Sequence, residues 1–190
     1  SEASYRIAVW SGYILAADKL FSLQLLTPEN TSVYMDRFTA NFEKGNELFA
    51  KETETYLLYP SRYAIAFDLR GMLFAMDYII NNNQEAKPKV EESYATAITL
   101  LEKNKTLQRY KNIARFVLYH EAVWLSFLAS KGEDHKETVK HLVSEIIAEK
   151  NKGSSLFQTF SNIKNDKIAR EYNLLIANVD PRFGDFLKSL

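Results

Sequence analysis

The 190-residue chain predicts an all-α fold: seven to eight antiparallel helices stacked as helical hairpins in a single domain over residues 1–190. Three observations predict it. Apolar residues recur every three or four positions along nearly the whole length, the period of a helix buried on one face. No alternation of apolar and polar residues is long enough for a strand. Glycine (6) and proline (4) are scarce and sit mostly where one periodic stretch ends and another begins.

The first helix is expected from Tyr5 to Leu26, on the face Tyr5, Ala8, Val9, Tyr13, Ala16, Ala17, Leu20, Phe21 and Leu25. Within it Ala8, Gly12 and Ala16 form a four-spaced stripe of small residues that lets another helix approach closely. Thr27-Pro28 follows, with Pro28 suited to a first helical position. The second helix runs from about Thr31 to Leu58, where Pro60 stops it and Ser61 can cap the next. The third, about Arg62 to Ile80, ends in Asn81-Asn82-Asn83-Gln84, because asparagine tolerates a left-handed backbone. Pro88 starts the fourth, with Val90, Tyr94, Ala97, Ile98 and Leu101 on one face. The fifth covers about Leu107 to Ser130, and Gly132 is its stop. Asp134 and Glu137 form a capping-box pattern before the sixth, about His135 to Lys150, which Gly153 stops before the capping pair Ser154-Ser155. Leu156, Phe157, Phe160 and Ile163 are less regular. A helix then runs from Ile168 to Val179, and Asp180-Pro181 caps a last short helix through Phe186-Leu187. No linker or low-complexity tract divides the chain.

Composition excludes several chemistries. With no cysteine there is no disulfide, thiolate metal site, iron–sulfur cluster or cysteine nucleophile. The 24 basic and 24 acidic residues cancel, which argues against a nucleic-acid partner held by phosphate neutralisation. The six glycines are too dispersed for a phosphate-binding loop. No apolar run approaches the roughly 18 residues of a membrane span. Ser1-Glu2-Ala3-Ser4-Tyr5-Arg6 lacks the order of a signal peptide.

Three stretches carry a repeat-like pattern. Phe67-x3-Gly71-x2-Phe74 sets a small residue between large ones on one helix, and Tyr94-x2-Ala97-Ile98-x-Leu100 answers it on the next. Leu118-x3-Ala122-x2-Leu125 repeats the first spacing. Packing explains it: Gly71 and Ala97 are small surfaces where helices touch, and Phe74 and Tyr94 are the wedges. Over Phe42 to Lys150 this resembles tetratricopeptide-like helical hairpins, which implies a right-handed stack. The hairpins beginning near Ser61 and Gln108 lie roughly 47 residues apart rather than 34, and no proline closely follows Leu101 or Ile147, so the likeness is one of hairpin class rather than strict repeat.

Tyr59-Pro60-Ser61-Arg62-Tyr63-Ala64 before Gly71-Met72-Leu73-Phe74-Ala75-Met76-Asp77-Tyr78 resembles the first hairpin of the T-component lipoproteins that accompany TRAP-type transporters. Leu118-Tyr119-His120-Glu121-Ala122-Val123-Trp124 with Val139 to Ile147 resembles a later one. That resemblance implies a periplasmic accessory protein, often self-associating, with a groove for a small ligand or a protein partner. The sequence departs from the family in having no lipidated cysteine.

The three histidines do not make a metal site. His120-Glu121 is followed by Trp124 where a zinc protease has its second histidine, and His135 and His141, six apart, point to different helix faces. The residues three before each histidine, Val117, Gly132 and Thr138, rule out a Glu-x-x-His di-iron centre. Arg115 and His120 have the Arg-x4-His spacing of HEPN-domain ribonucleases, which resemblance implies a phosphate-holding arginine and a histidine base. The carboxylate pairs Glu52/Glu54, Glu91/Glu92 and Glu133/Asp134 read as solvated faces and caps, and Asn30-Thr31-Ser32 and Asn104-Lys105-Thr106 as chance sequons.

Eleven tyrosines are the surplus. Tyr56, Tyr59, Tyr63 and Tyr78 gather with Arg62, Asp68 and Arg70 around one expected turn and the next helix. The leading expectation is a non-enzymatic binding or scaffold protein without cofactor or metal, engaging a protein partner or small ligand through Tyr63, Arg70, Tyr78, Tyr119 and Trp124. An HEPN-like ribonuclease using Arg115 and His120, and the effector-binding domain of a regulator, are the alternatives. Self-association and a periplasmic or envelope location complete the expectation.

Overall fold

The computed structural model describes residues 3–4, 7–8, 11–12, 26–49, 51, 60–102, 108–148 and 167–190, with backbone alone for 49, 60–62, 108–115 and 167–169. Among the described residues the chain is all-α, with no strand. Seven helices are bounded among the described residues, in order: α1 (Pro28–Phe49), α2 (Pro60–Asn81), α3 (Ala86–Glu102), α4 (Gln108–Ser130), α5 (Lys136–Ala148), α6 (Lys167–Val179) and α7 (Pro181–Lys188). Residues 7–8 and 11–12, in the expected first helix, and residues 3–4 just before it are also helical. No helix among the described residues is long and apolar enough to cross a membrane. The expected extension of the second helix to Leu58, the stop at Gly153 and the caps Ser154 and Ser155 lie outside the described residues. Packing divides the chain into two compact units, Ser1–Ile113 and Ala114–Leu190.

The helix ends follow from local chemistry. Thr27 Oγ1 accepts the Asn30 amide at 3.3 Å, so Thr27 caps α1 and Pro28 takes the first helical position. Pro60 opens α2 rather than standing before it, and Ser61 lies inside the first turn instead of capping it. A first-turn residue has no intrahelical acceptor for its N–H, so proline loses nothing there. The same argument places Pro88 third in α3, which begins at Ala86. Asn82, just past α2, has a φ of 55°, the left-handed backbone that asparagine tolerates. Asp77, in the last turn of α2, accepts the side-chain amides of Asn81 and Asn83, each at 2.7 Å.

After α4, Gly132 has a φ of 97°. Its amide donates to the Ala129 carbonyl at 3.1 Å, and the Glu133 amide donates to Leu128 at 3.2 Å. These two bonds are the Schellman closure, which needs a left-handed residue at this place. The Val139 amide donates to the His135 carbonyl, so His135 stands at the cap of α5 and Asp134 one residue before it.

In unit 1, α2 and α3 form an antiparallel hairpin closed by residues 82–85. Gly71 meets the Tyr94 ring and Phe74 meets Lys89, so the contact runs forward along α2 as it runs back along α3. A Cβ at Gly71 would fall 2.9 Å from Tyr94 Cε1 and Cζ: the ring occupies the space that glycine leaves. Tyr63, Ala64, Leu69, Leu73, Val90, Tyr94 and Ala97 are buried. Phe42 of α1 stands edge-on to Phe67 of α2 at 5.0 Å. Gly12 lies against the Phe38 ring and Leu69, the close approach for which its small stripe is suited.

In unit 2, α5, α6 and α7 pack on one another, and α4 joins them through Tyr119. The Tyr119 hydroxyl donates to Asn173 Oδ1 of α6 at 2.8 Å, and its ring stacks 6.2 Å from that of Phe183 of α7. Val117, Leu128, Val139, Val143, Ile146, Ile176 and Phe183 fill the core, each nearly or fully inaccessible.

Candidate binding cleft

The short helix α7 is set by its own sequence. Asp180 adopts an extended backbone and accepts the Arg182 amide at 3.1 Å, and Pro181 follows at the first helical position. Phe183 and Phe186, one turn apart, turn to the core and leave Arg182, Asp185 and Lys188 exposed. The Arg182 guanidinium folds back on the Asp180 carboxylate through Nε (3.0 and 3.1 Å) and Nη2 (2.6 Å). Nη2 also donates to the Lys140 carbonyl at 3.2 Å, tying the start of α7 to α5. That hydrogen bonding holds the Asp180 carboxyl below its ordinary value and raises Arg182.

From this tie α5 and α7 run in the same direction and leave a cleft of about 420 Å³ between their later turns. Ser144, Ile147 and Ala148 line it from α5, and Arg182, Asp185, Phe186 and Ser189 from α7 and its cap. The apolar wall is Ile147, Ala148 and Phe186. Ser144 donates to the Lys140 carbonyl and Ser189 to the Phe186 carbonyl, so each hydroxyl keeps an oxygen available to accept. Asp185 is paired loosely with Lys188 at 3.3 Å. The volume lies within the range of small-molecule sites, roughly 300–1,000 Å³.

The residues singled out from the sequence lie elsewhere. Tyr63, Arg70 and Tyr78 are on α2 in unit 1, and Tyr119 and Trp124 on α4 in unit 2. Tyr63, Tyr119 and Trp124 are buried, at 1%, 5% and 2% exposure, so in this structure they fill core instead of facing solvent. Arg70 is committed within unit 1. Its Nη1 donates to Glu92 Oε2 and Ser93 Oγ at 2.8 Å, and its guanidinium lies over Phe42 and Phe74 at 5.5 and 5.3 Å. Tyr78 is half-buried beside the exposed Ile79 and Ile80. Tyr56 and Tyr59 fall outside the described residues.

His120 is half-buried, its ring 5.7 Å from Tyr119 and 6.3 Å from Phe116. The Arg115 side chain is outside the described set. His135 pairs with Glu133 at 3.2 Å and His141 with Glu145 at 3.4 Å. Among the described residues no three His, Asp or Glu side chains gather as a metal site. The cleft residues went unmarked in the sequence. Asp180-Pro181 announced the short helix α7 through Phe186-Leu187, but nothing local announced that α5 would lie alongside it. No protein family, no curated protein and no solved structure matches the chain.

Proposed function

We propose that the chain is a non-enzymatic helical binding protein that holds a small ligand with an apolar body and a polar end in the α5–α7 cleft. The supporting observation is the cleft's construction: an apolar wall of Ile147, Ala148 and Phe186 beside Arg182, Asp185 and two serine hydroxyls. The Arg182–Asp180 ion pair fixes the start of α7, and the exposed, loosely paired Asp185 supplies a polar group at the cleft. The resemblance to periplasmic accessory proteins supports the same reading and makes the cell envelope its proposed location.

The test is a fragment screen by NMR on the isotope-labelled full chain. Ligands that fit should shift the amides of Ser144, Ile147 and Ser189. Ala148→Arg places a long side chain across the cleft from an exposed position and should abolish those shifts while leaving the rest of the spectrum unchanged. If no fragment perturbs these amides, or if Ala148→Arg binds as well as the parent chain, the reading fails.

A further inference from the structure

Which ligand suits the α5–α7 cleft depends on what its polar groups still have to offer. Its two hydroxyls have spent their protons. Ser144 donates to the Lys140 carbonyl at 2.9 Å and Ser189 to the Phe186 carbonyl at 2.6 Å. A hydroxyl has one proton, so both oxygens meet the cleft as acceptors. Arg182 is the cation of the lining, and it is engaged. Its Nε and Nη2 bind the Asp180 carboxylate, which is 4% exposed, and Nη2 also reaches the Lys140 carbonyl. Nη1 is left over, but the guanidinium charge is already matched by that carboxylate at 2.6 Å. Asp185 differs. Its side chain is 77% exposed and lies 3.3 Å from Lys188 Nζ, itself 82% exposed, a pair worth little in water. Ser189 is also the cap of α7, and its amide donates to the Asp185 and Phe186 carbonyls. The cleft thus borders the carbonyl end of that helix, which favours positive charge.

We propose that the ligand of the cleft is a primary amine on a hydrocarbon body, an alkyl- or arylalkylammonium ion; this rests on the cleft being a ligand site. An ammonium group donates three N–H bonds and accepts none, the complement of a carboxylate near two hydroxyl oxygens. The hydrocarbon lies on Ile147, Ala148 and Phe186, and the ammonium replaces Lys188 at Asp185. A carboxylate ligand would instead meet Asp185 as a like charge and the serine oxygens as acceptors without a proton to give.

Three probes that share a phenylethyl body test this: phenethylamine, phenethyl alcohol and hydrocinnamate. Each is titrated at neutral pH into the isotope-labelled full chain, and the amides of Ser144, Ile147 and Ser189 are followed by NMR. The amine should bind about fivefold to tenfold tighter than the alcohol, with hydrocinnamate weakest. Asp185→Asn should remove the advantage of the amine, and Lys188→Ala, which takes away its competitor, should increase it. If the alcohol or hydrocinnamate binds as tightly as the amine, the amine proposal is overturned while the cleft stands as a ligand site. An amine that leaves these amides unmoved, or that keeps its advantage in Asp185→Asn, overturns it as well. Only a fragment screen silent at these amides overturns the cleft itself. Should Asp185→Asn disturb α7, the order of the three probes on the parent chain decides.

Discussion

Replacing Gly71 with alanine adds one methyl group where α2 and α3 touch. In a helix interior that change is favourable by itself, about 1 kcal/mol. Here the new Cβ would lie 2.9 Å from Cε1 and Cζ of Tyr94 and 3.2 Å from Cδ1. Tyr94 is 2% exposed and has no room to swing into solvent. Displacing it or parting the helices costs about 1–3 kcal/mol, so Gly71→Ala should be net destabilising by about 1 kcal/mol. Gly184 supplies the control. A Cβ there meets only Ala177 Cβ, at 3.6 Å, an ordinary contact. Gly184→Ala should therefore keep most of the helical gain and stabilise by about 0.5–1 kcal/mol. Urea unfolding followed by circular dichroism distinguishes the signs. Tyr94→Leu removes the ring atoms that clash; in that background Gly71→Ala should become neutral or stabilising, with a coupling of at least about 1 kcal/mol. Gly71→Ala that stabilises as much as Gly184→Ala, or a coupling near zero, would refute the account of the α2–α3 contact.

Two further outcomes follow from unit 2. Tyr119→Phe removes the 2.8 Å hydrogen bond to Asn173 and leaves the buried Asn173 Oδ1 without that donor; an expected loss of about 1–3 kcal/mol is read by urea unfolding. Asp180→Ala removes the cap of α7 and should cost about 1–2 kcal/mol. Because the hydrogen bond with Arg182 lowers the Asp180 carboxyl, its contribution is present above the ordinary carboxylate value near 4 and disappears as the pH falls below it. The gap between Asp180→Ala and the parent should accordingly narrow in acid; a gap that is constant down to about pH 2 would contradict the sign.

Helix ends were legible because their chemistry is local. Gly132 at a left-handed stop and Asp180-Pro181 at a start depend on residues within one turn, and both stand where the sequence places them. The Gly71–Tyr94 contact was legible for a related reason: a short connection folds α3 back on α2, so a small residue facing a large one implies their meeting. Pro60 and Pro88 were read as boundaries but sit within first turns, since proline is tolerated at several positions before intrahelical bonding begins. Tyr63, Tyr119 and Trp124 were read as binding residues and lie buried in the core. A tyrosine or tryptophan has an apolar ring and one polar atom, and periodicity alone does not say whether that atom meets water or a buried partner such as Asn173.

The sequence by itself determined that the chain is all-helical, roughly where its helices begin and end, and which face of each is apolar, because periodicity and capping act over a few residues. Tertiary structure decided what covers each face. It matched Tyr119 with Asn173, 54 residues later, and opened a cleft between α5 and α7. Burial and electrostatic pairing depend on distances between segments remote in the chain, and no local pattern of residues encodes them.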